Sequence, residues 1–193
     1  LESSVIRSAA NDIIRKKNDN SAIIIGQVGT DIHPCNANCG FCSFGECHTG
    51  IPTIRIEKPA LENAITGFCK EGDLYGLYLM TMADTDKDFL LENVAIARKA
   101  AAKETQIWVN TGDNDRGFYE ELVAAGASGA YHVCRLREGI DTKLDPARRL
   151  KSMEYIVESG LQLFSCCEPI SMEHSIEELA DNIFLCIDLG VTQ

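Results

Sequence analysis

At 193 residues and 21.2 kDa, the chain is long enough for one domain with a substantial core and too short for two ordinary ones. Its 45% hydrophobic and 24% charged residues exclude a disordered tail or a collagen-like fibre, and a formal net charge of −11 argues against a nucleic-acid partner bound through phosphate counterion release. No apolar run reaches the about 18 residues that cross a bilayer, and no charged-then-apolar leader opens the chain, so a cytoplasmic protein without a membrane partner is expected.

An amphipathic helix is predicted over Ser4–Lys17, then a strand over Ala22–Val28 and a long connection rich in cysteine. Thereafter one rhythm repeats: a helix-like stretch, a glycine, a short apolar run. It places strands at Leu74–Met80 after Gly72, at Gly129–Cys134 after Gly126 and at Leu161–Cys166 after Gly160, with a further strand at Gln106–Asn110. Glycine just past a helix end adopts the left-handed conformation that closes the helix. From Asp86 to about Lys103, Phe89, Leu90, Val94, Ala97 and Ala101 recur at helical spacing. Asp145-Pro146 supplies an N-cap and a first-turn proline, and Ser175-Ile176-Glu177-Glu178 reads as a capping box. Strands alternating with helices predict an α/β fold, a parallel partial TIM-type barrel of about five βα units. Gly190-Val191-Thr192-Gln193 reads as the opening of a sixth strand, so residues 1–193 are expected to form one incomplete barrel domain.

Nine cysteines, an odd number spread over a long sequence expected to be unsecreted, make a disulfide framework improbable. Four fall within thirteen residues: Cys35, Cys39 and Cys42 in the spacing C-x3-C-x2-C, then Cys47. Thiolates are soft ligands suited to zinc or iron–sulfur clusters, and three of them leave one coordination position open. A zinc knuckle with Cys47 as fourth ligand, or an iron–sulfur carrier serving another enzyme, are the alternatives. Cys69 and Cys186 read as core thiols.

The C-x3-C-x2-C spacing with aromatic Phe41 before its last cysteine resembles the signature of radical S-adenosylmethionine (SAM) enzymes. The resemblance implies a [4Fe–4S] cluster on Cys35, Cys39 and Cys42, with SAM chelating the fourth iron. It also implies reductive cleavage of SAM to a 5′-deoxyadenosyl radical, an electron donor such as a flavodoxin or ferredoxin, a small-molecule substrate and an anaerobic or reducing setting. Glu46-Cys47-His48-Thr49-Gly50 narrows the likeness to the group of biotin synthase, HydE and PylB. By that likeness, Phe41 and the Thr81-Met82-Ala83 segment border SAM, whose amino group meets the backbone of the latter. Arg149, followed by Leu150, holds the SAM carboxylate, or else is a solvated helix residue.

Departures from the group are as informative. The second-cluster cysteines of biotin synthase align with Leu79, Trp108 and Phe164, so biotin synthase activity is not expected. Arg135 stands where a carboxylate holding the SAM ribose is expected, which leaves Glu138 for that role or a different mode of ribose binding. Adjacent Cys166 and Cys167 are read as packing, with hydrogen donation or an auxiliary metal as alternatives. Cys134 with Cys167 is the pair for a second metal site, and Cys47 also has an arguable role there. Arg135, Arg137, Glu138 and Glu168 near the strand ends suit a carboxylated or zwitterionic substrate. His132 reads as a structural residue, and Asp113, Asn114 and Asp115 as caps for the next helix.

Overall fold

The computed structural model describes residues 2–192. Five parallel strands, β1 (Ile24–Gly29), β4 (Leu74–Met80), β5 (Gln106–Asn110), β6 (Gly129–Tyr131) and β7 (Gln162–Phe164), lie in a single sheet in chain order. They alternate with helices α2 (Lys58–Cys69), α3 (Lys87–Ala100), α4 (Arg116–Ala125) and α5 (Pro146–Glu158), preceded by α1 (Ser3–Lys17) and followed by α6 (Ile176–Asp188). This is the predicted α/β partial barrel. A short antiparallel pair, β2 (Asp31–Ile32) with β3 (Ile54–Arg55), brackets the cysteine-rich connection. Two-residue strands are too short to leave a periodicity, and the sequence reading passed over them. No helix among the described residues is long and apolar enough to cross a membrane.

The two faces of the sheet carry different chemistry, while the edge strand β1 stays largely exposed. Leu77, Leu79, Ile107, Val109, Ala130 and Leu163 pack against Leu61 and Ile65 of α2, Leu90 and Val94 of α3, Leu122 of α4 and Ile156 of α5. The opposite, inner face carries Tyr78, Trp108 and Phe164, whose rings meet at centroid distances of 5.2 Å (Tyr78–Trp108) and 4.7 Å (Trp108–Phe164). Register pairs Tyr78 with Trp108 and Leu79 with Val109. Leu79 therefore lies on the helix side, one residue out of phase with the interior position to which it aligns by sequence, which Tyr78 occupies.

Local signals account for most helix ends. Asp86, Asp115 and Asp145 accept from the backbone N–H of Phe89, Phe118 and Ala147, and the capping box at Ser175 and Glu178 is present in both directions. Gly72, Gly126, Gly160 and Gly190 all take positive φ, between 75° and 106°. The predicted third helix was too long: α3 ends at Ala100, because Ala101 turns to extended backbone. Strands β6 and β7 end at Tyr131 and Phe164, short of the predicted Cys134 and Cys166. Beyond them the two segments remain joined by His132 N–H to Phe164 O (2.9 Å), which completes the Tyr131–Phe164 pair, and by Leu136 N–H to Glu168 O (3.0 Å), without a continuous ladder between. Of the expected sixth strand, Val191 and Thr192 are not extended into a strand, although Thr192 N–H donates to Leu163 O at 2.9 Å; Gln193 lies outside the described residues.

Arg137, in the loop after β6, donates from Nε to Glu178 Oε1 at 3.0 Å, and Glu178 also accepts from Ser175 N–H. The Arg137 hydrogen bond and then that of Ser175 pull the Glu178 carboxyl down to about 2. Its folded-state pKa is thus below the unfolded value of about 4.3, so its stabilisation is fully present above that value and is lost as pH falls toward 2. A carboxyl-detected NMR titration is expected to place the Glu178 midpoint near 2, and a midpoint above 4 would show the pair absent in solution.

Candidate active site

The cysteine-rich loop leaves the carboxyl end of β1, where parallel α/β folds gather their chemistry. It is folded by its own small polar residues. Cys35 N–H donates to Phe44 O (2.7 Å) and Glu46 N–H to Cys35 O (3.0 Å), which doubles the loop back on itself. Asn38, at φ 46°, braces the turn, its amide oxygen accepting from Cys47 N–H (2.9 Å) and its Nδ2 donating to Glu46 Oε1 (2.9 Å). Gly40 N–H donates to Asp141 O, tying the loop to the segment after β6.

This folding gathers Cys35 and Cys39, both buried, with Cys42 in a cluster of their own, packed by Ala37, Met82 and Leu144. Burial pushes the Cys35 thiol up, partly opposed by the Ala37 and Ala83 backbone N–H groups; burial raises Cys39 too, against the lowering charge of Arg135. A metal held here must displace those protons. Cys47 is exposed on the outer side of the loop and takes no part in the cluster. Among the described residues, no set of three or more His, Cys, Asp or Glu side chains closes on a single-ion geometry, at the three thiols or at Cys134 and Cys167.

The thiols form one wall of a cavity of about 670 Å³ at the carboxyl ends of the strands. Phe41, Thr81, Met82, Ala83 and Arg149 line the same cavity, so eight of the nine site residues expected from the sequence come together there. The 81–83 edge is held from three sides. Asn110 accepts from Thr81 N–H (2.7 Å) and donates to Thr81 O, the buried Asp31 carboxylate accepts from Met82 N–H (2.9 Å), and Gly112 lies directly against Ala83 O.

Glu138 is the ninth residue and is not on the cavity wall. Its side chain is 1% exposed, accepting from Thr142 Oγ1 and Arg135 N–H and facing Arg149 Nε at 3.7 Å. Arg149 is not solvated: it donates to Val133 O (2.9 Å) and Asp113 Oδ1 (3.2 Å) from a position 4% exposed. Asp113 is not a cap but the shared partner of Arg149 and His132 (Nε2, 2.9 Å), while Asp115 caps α4. Burial alone would raise the Asp113 carboxyl; His132 and Arg149 together outweigh it and hold it below the usual range.

The adjacent cysteines diverge. Cys166 lies 3.1 Å from the Tyr131 hydroxyl, which donates to Glu168 Oε1 at 2.9 Å, whereas the electrostatic neighbour of Cys167 is Cys186 of α6. Sequence reasoning missed Asp31, Asn110, Thr111 and Tyr131, all on the cavity wall. Only their place at strand ends could have marked them.

No family model and no curated protein matches the sequence. Solved structures do match in fold. Methylornithine synthase (PylB) superposes with TM-score 0.83 at 14% identity over 95% of this chain and 56% of its own. HydG, a maturase of the [FeFe]-hydrogenase, gives 0.73 at 11% identity over 90% of this chain and 40% of its own. The radical SAM methyltransferase TsrM from Kitasatospora setae, with tryptophan and a SAM analogue bound, gives 0.60 at 15% identity, covering 87% and 34%. The chain therefore spans just over half of PylB and less than half of the other two, and its fold resembles that of radical SAM enzymes.

Proposed function

We propose that this chain binds a [4Fe–4S] cluster through Cys35, Cys39 and Cys42 and cleaves SAM reductively to act on a small molecule in the adjoining cavity. The observation that carries this is the convergence of three thiols, and no fourth, on one wall of a cavity whose other walls are the residues expected to meet SAM. Three sulfur donors with an open side fit a cluster that keeps one iron for an external ligand; a structural zinc site needs four, and the exposed Cys47 is held away from the others by Asn38. The fold likeness to radical SAM enzymes supports the same reading.

When bound, the cluster supplies one electron, received from a donor such as a flavodoxin or ferredoxin, that splits SAM into methionine and the 5′-deoxyadenosyl radical. The chain's own contribution is placement and shielding. Burial of Cys35 and Cys39 keeps water from the ligating sulfurs, while the Ala37 and Ala83 N–H groups stabilise the Cys35 thiolate. The 81–83 edge is a fixed backbone surface for the SAM amino group. Anaerobic reconstitution with iron, sulfide, SAM and a reductant is expected to yield 5′-deoxyadenosine. A protein that takes up zinc in preference to iron, or assembles a cluster without cleaving SAM, overturns the proposal.

The edge has its own test. A Cβ at residue 112 would overlap the Ala83 carbonyl oxygen, and backbone cannot swing aside as a side chain can. Gly112→Ala is expected to cost about 1–3 kcal/mol and to weaken SAM binding by calorimetry. Unchanged affinity would mean that the edge does not contact SAM.

A further inference from the structure

One cation on the cavity wall has incomplete bonding. Arg135 lies in the loop after β6, its side chain 18% exposed. A guanidinium carries five N–H donors in a planar fork. Among the described residues, this one spends none of them in a hydrogen bond: it is ion-paired with Glu168 Oε1, 3.3 Å from Nε, and more loosely with Glu138 Oε2, 3.8 Å from Nη1, and Nε is buried without a hydrogen-bond partner. The two carboxylates are themselves engaged elsewhere, Glu168 by the Tyr131 hydroxyl and Glu138 by Thr142 and the Arg135 backbone. The Phe41 ring centroid lies 5.8 Å from the guanidinium carbon and offers no oxygen acceptor.

The other arginine on the same wall is a built-in control. Arg149 is more deeply placed, its side chain 5% exposed, and its Nε and Nη1 already donate to Val133 O and Asp113 Oδ1, so the protein itself has taken up two of its three nitrogens. A buried donor left unmade, as Nε is here, is costly, and a fold tolerates it where a ligand makes the bond. Two parallel N–H groups on a cavity wall match the two oxygens of a carboxylate.

We propose that Arg135, and not Arg149, is the carboxylate clamp of this cavity, gripping a carboxylate-bearing small molecule between the thiol cluster and the end of β7. The assignment rests on the cavity use proposed above and names its ligand chemistry. That carboxylate belongs either to SAM or to a second small molecule, and the two sources separate experimentally.

The test is calorimetric binding of SAM and of decarboxylated SAM to the reconstituted protein as wild type, Arg135→Gln and Arg135→Lys, followed by thermal shift with acetate, glycine and succinate on the same three proteins. If the carboxylate is that of SAM, Arg135→Gln weakens SAM by roughly tenfold or more and leaves decarboxylated SAM unaffected. If it is that of a second molecule, SAM affinity is unchanged and stabilisation by at least one of the three small carboxylates disappears in Arg135→Gln. In either case Arg135→Lys, which keeps charge and loses the fork, recovers only part of the effect and controls for folding. Binding of SAM and of all three carboxylates unchanged in both variants overturns the clamp, as does a loss of bound iron with no change in carboxylate binding, which would give Arg135 the role of balancing the thiolates. The parent reading fails separately, when wild type forms no 5′-deoxyadenosine, because thermal shift with simple carboxylates requires no turnover.

Discussion

Replacing Cys39 by alanine is expected to leave a folded chain that neither retains a stoichiometric cluster nor produces 5′-deoxyadenosine. Cys39 is 7% exposed and packs with Cys35 and Cys42 in a cluster distinct from the main core, so its removal touches none of the contacts that hold strands to helices. Two sulfurs then remain at the cavity wall, with no substitute within the loop. Cys47 is pinned on the outer face through Asn38, and reaching inward would mean breaking the turn that positions Cys35. Iron content and visible charge-transfer absorbance should fall together, and SAM cleavage should drop below detection, whereas Cys47→Ala and Cys69→Ala should keep both. If Cys39→Ala retains SAM cleavage, the three-thiol assignment is wrong.

The largest effect on stability is expected at Trp108. Its side chain is fully buried on the inner face, in contact with Tyr75, Tyr78 and Phe164, and Gly76 and Gly129 are the positions that make room for it. Truncation to alanine removes an indole from a site whose neighbours are large rings and cannot collapse into the space. The expected cost is about 3–5 kcal/mol, toward the lower end because, among the described residues, the indole Nε1 has no hydrogen-bond partner and its loss relieves a buried donor. For a domain of this size that lowers Tm by roughly 10 °C. Trp108→Phe should lose distinctly less. A cost below about 1 kcal/mol for alanine would show the inner face to be loosely packed.

What was legible in the sequence was what local chemistry decides. Helix starts at Asp86, Asp145 and Ser175 and stops at Gly126 and Gly160 depend on a side chain and a backbone group a few residues apart, and the order of βα units follows from them. The thiol motif was legible because its ligands lie on one loop. What stayed hidden depends on long-range encounters. Arg149 lies on a helix whose sequence does not show whether it meets solvent or Asp113, 36 residues away. Glu138 reads as a rim carboxylate until Thr142 and Arg149 enclose it. Leu79 shows the sharpest limit, since a single residue of phase exchanges the inside of a sheet for the outside.

The Asn110 amide has a consequence for how the cavity keeps its shape. Donating to Thr81 O and accepting from Thr81 N–H, it offers the neighbouring chain what a peptide group would offer. The β4–β5 ladder is thus one rung longer in hydrogen bonds than in backbone, and the last rung is a side chain. The main chain after Asn110 is freed to veer toward Asp113 and His132, while Thr81 stays as firmly registered as if it were mid-strand. The opening of the site and the rigidity of its edge are therefore compatible: a surrogate peptide lets the sheet end early without fraying.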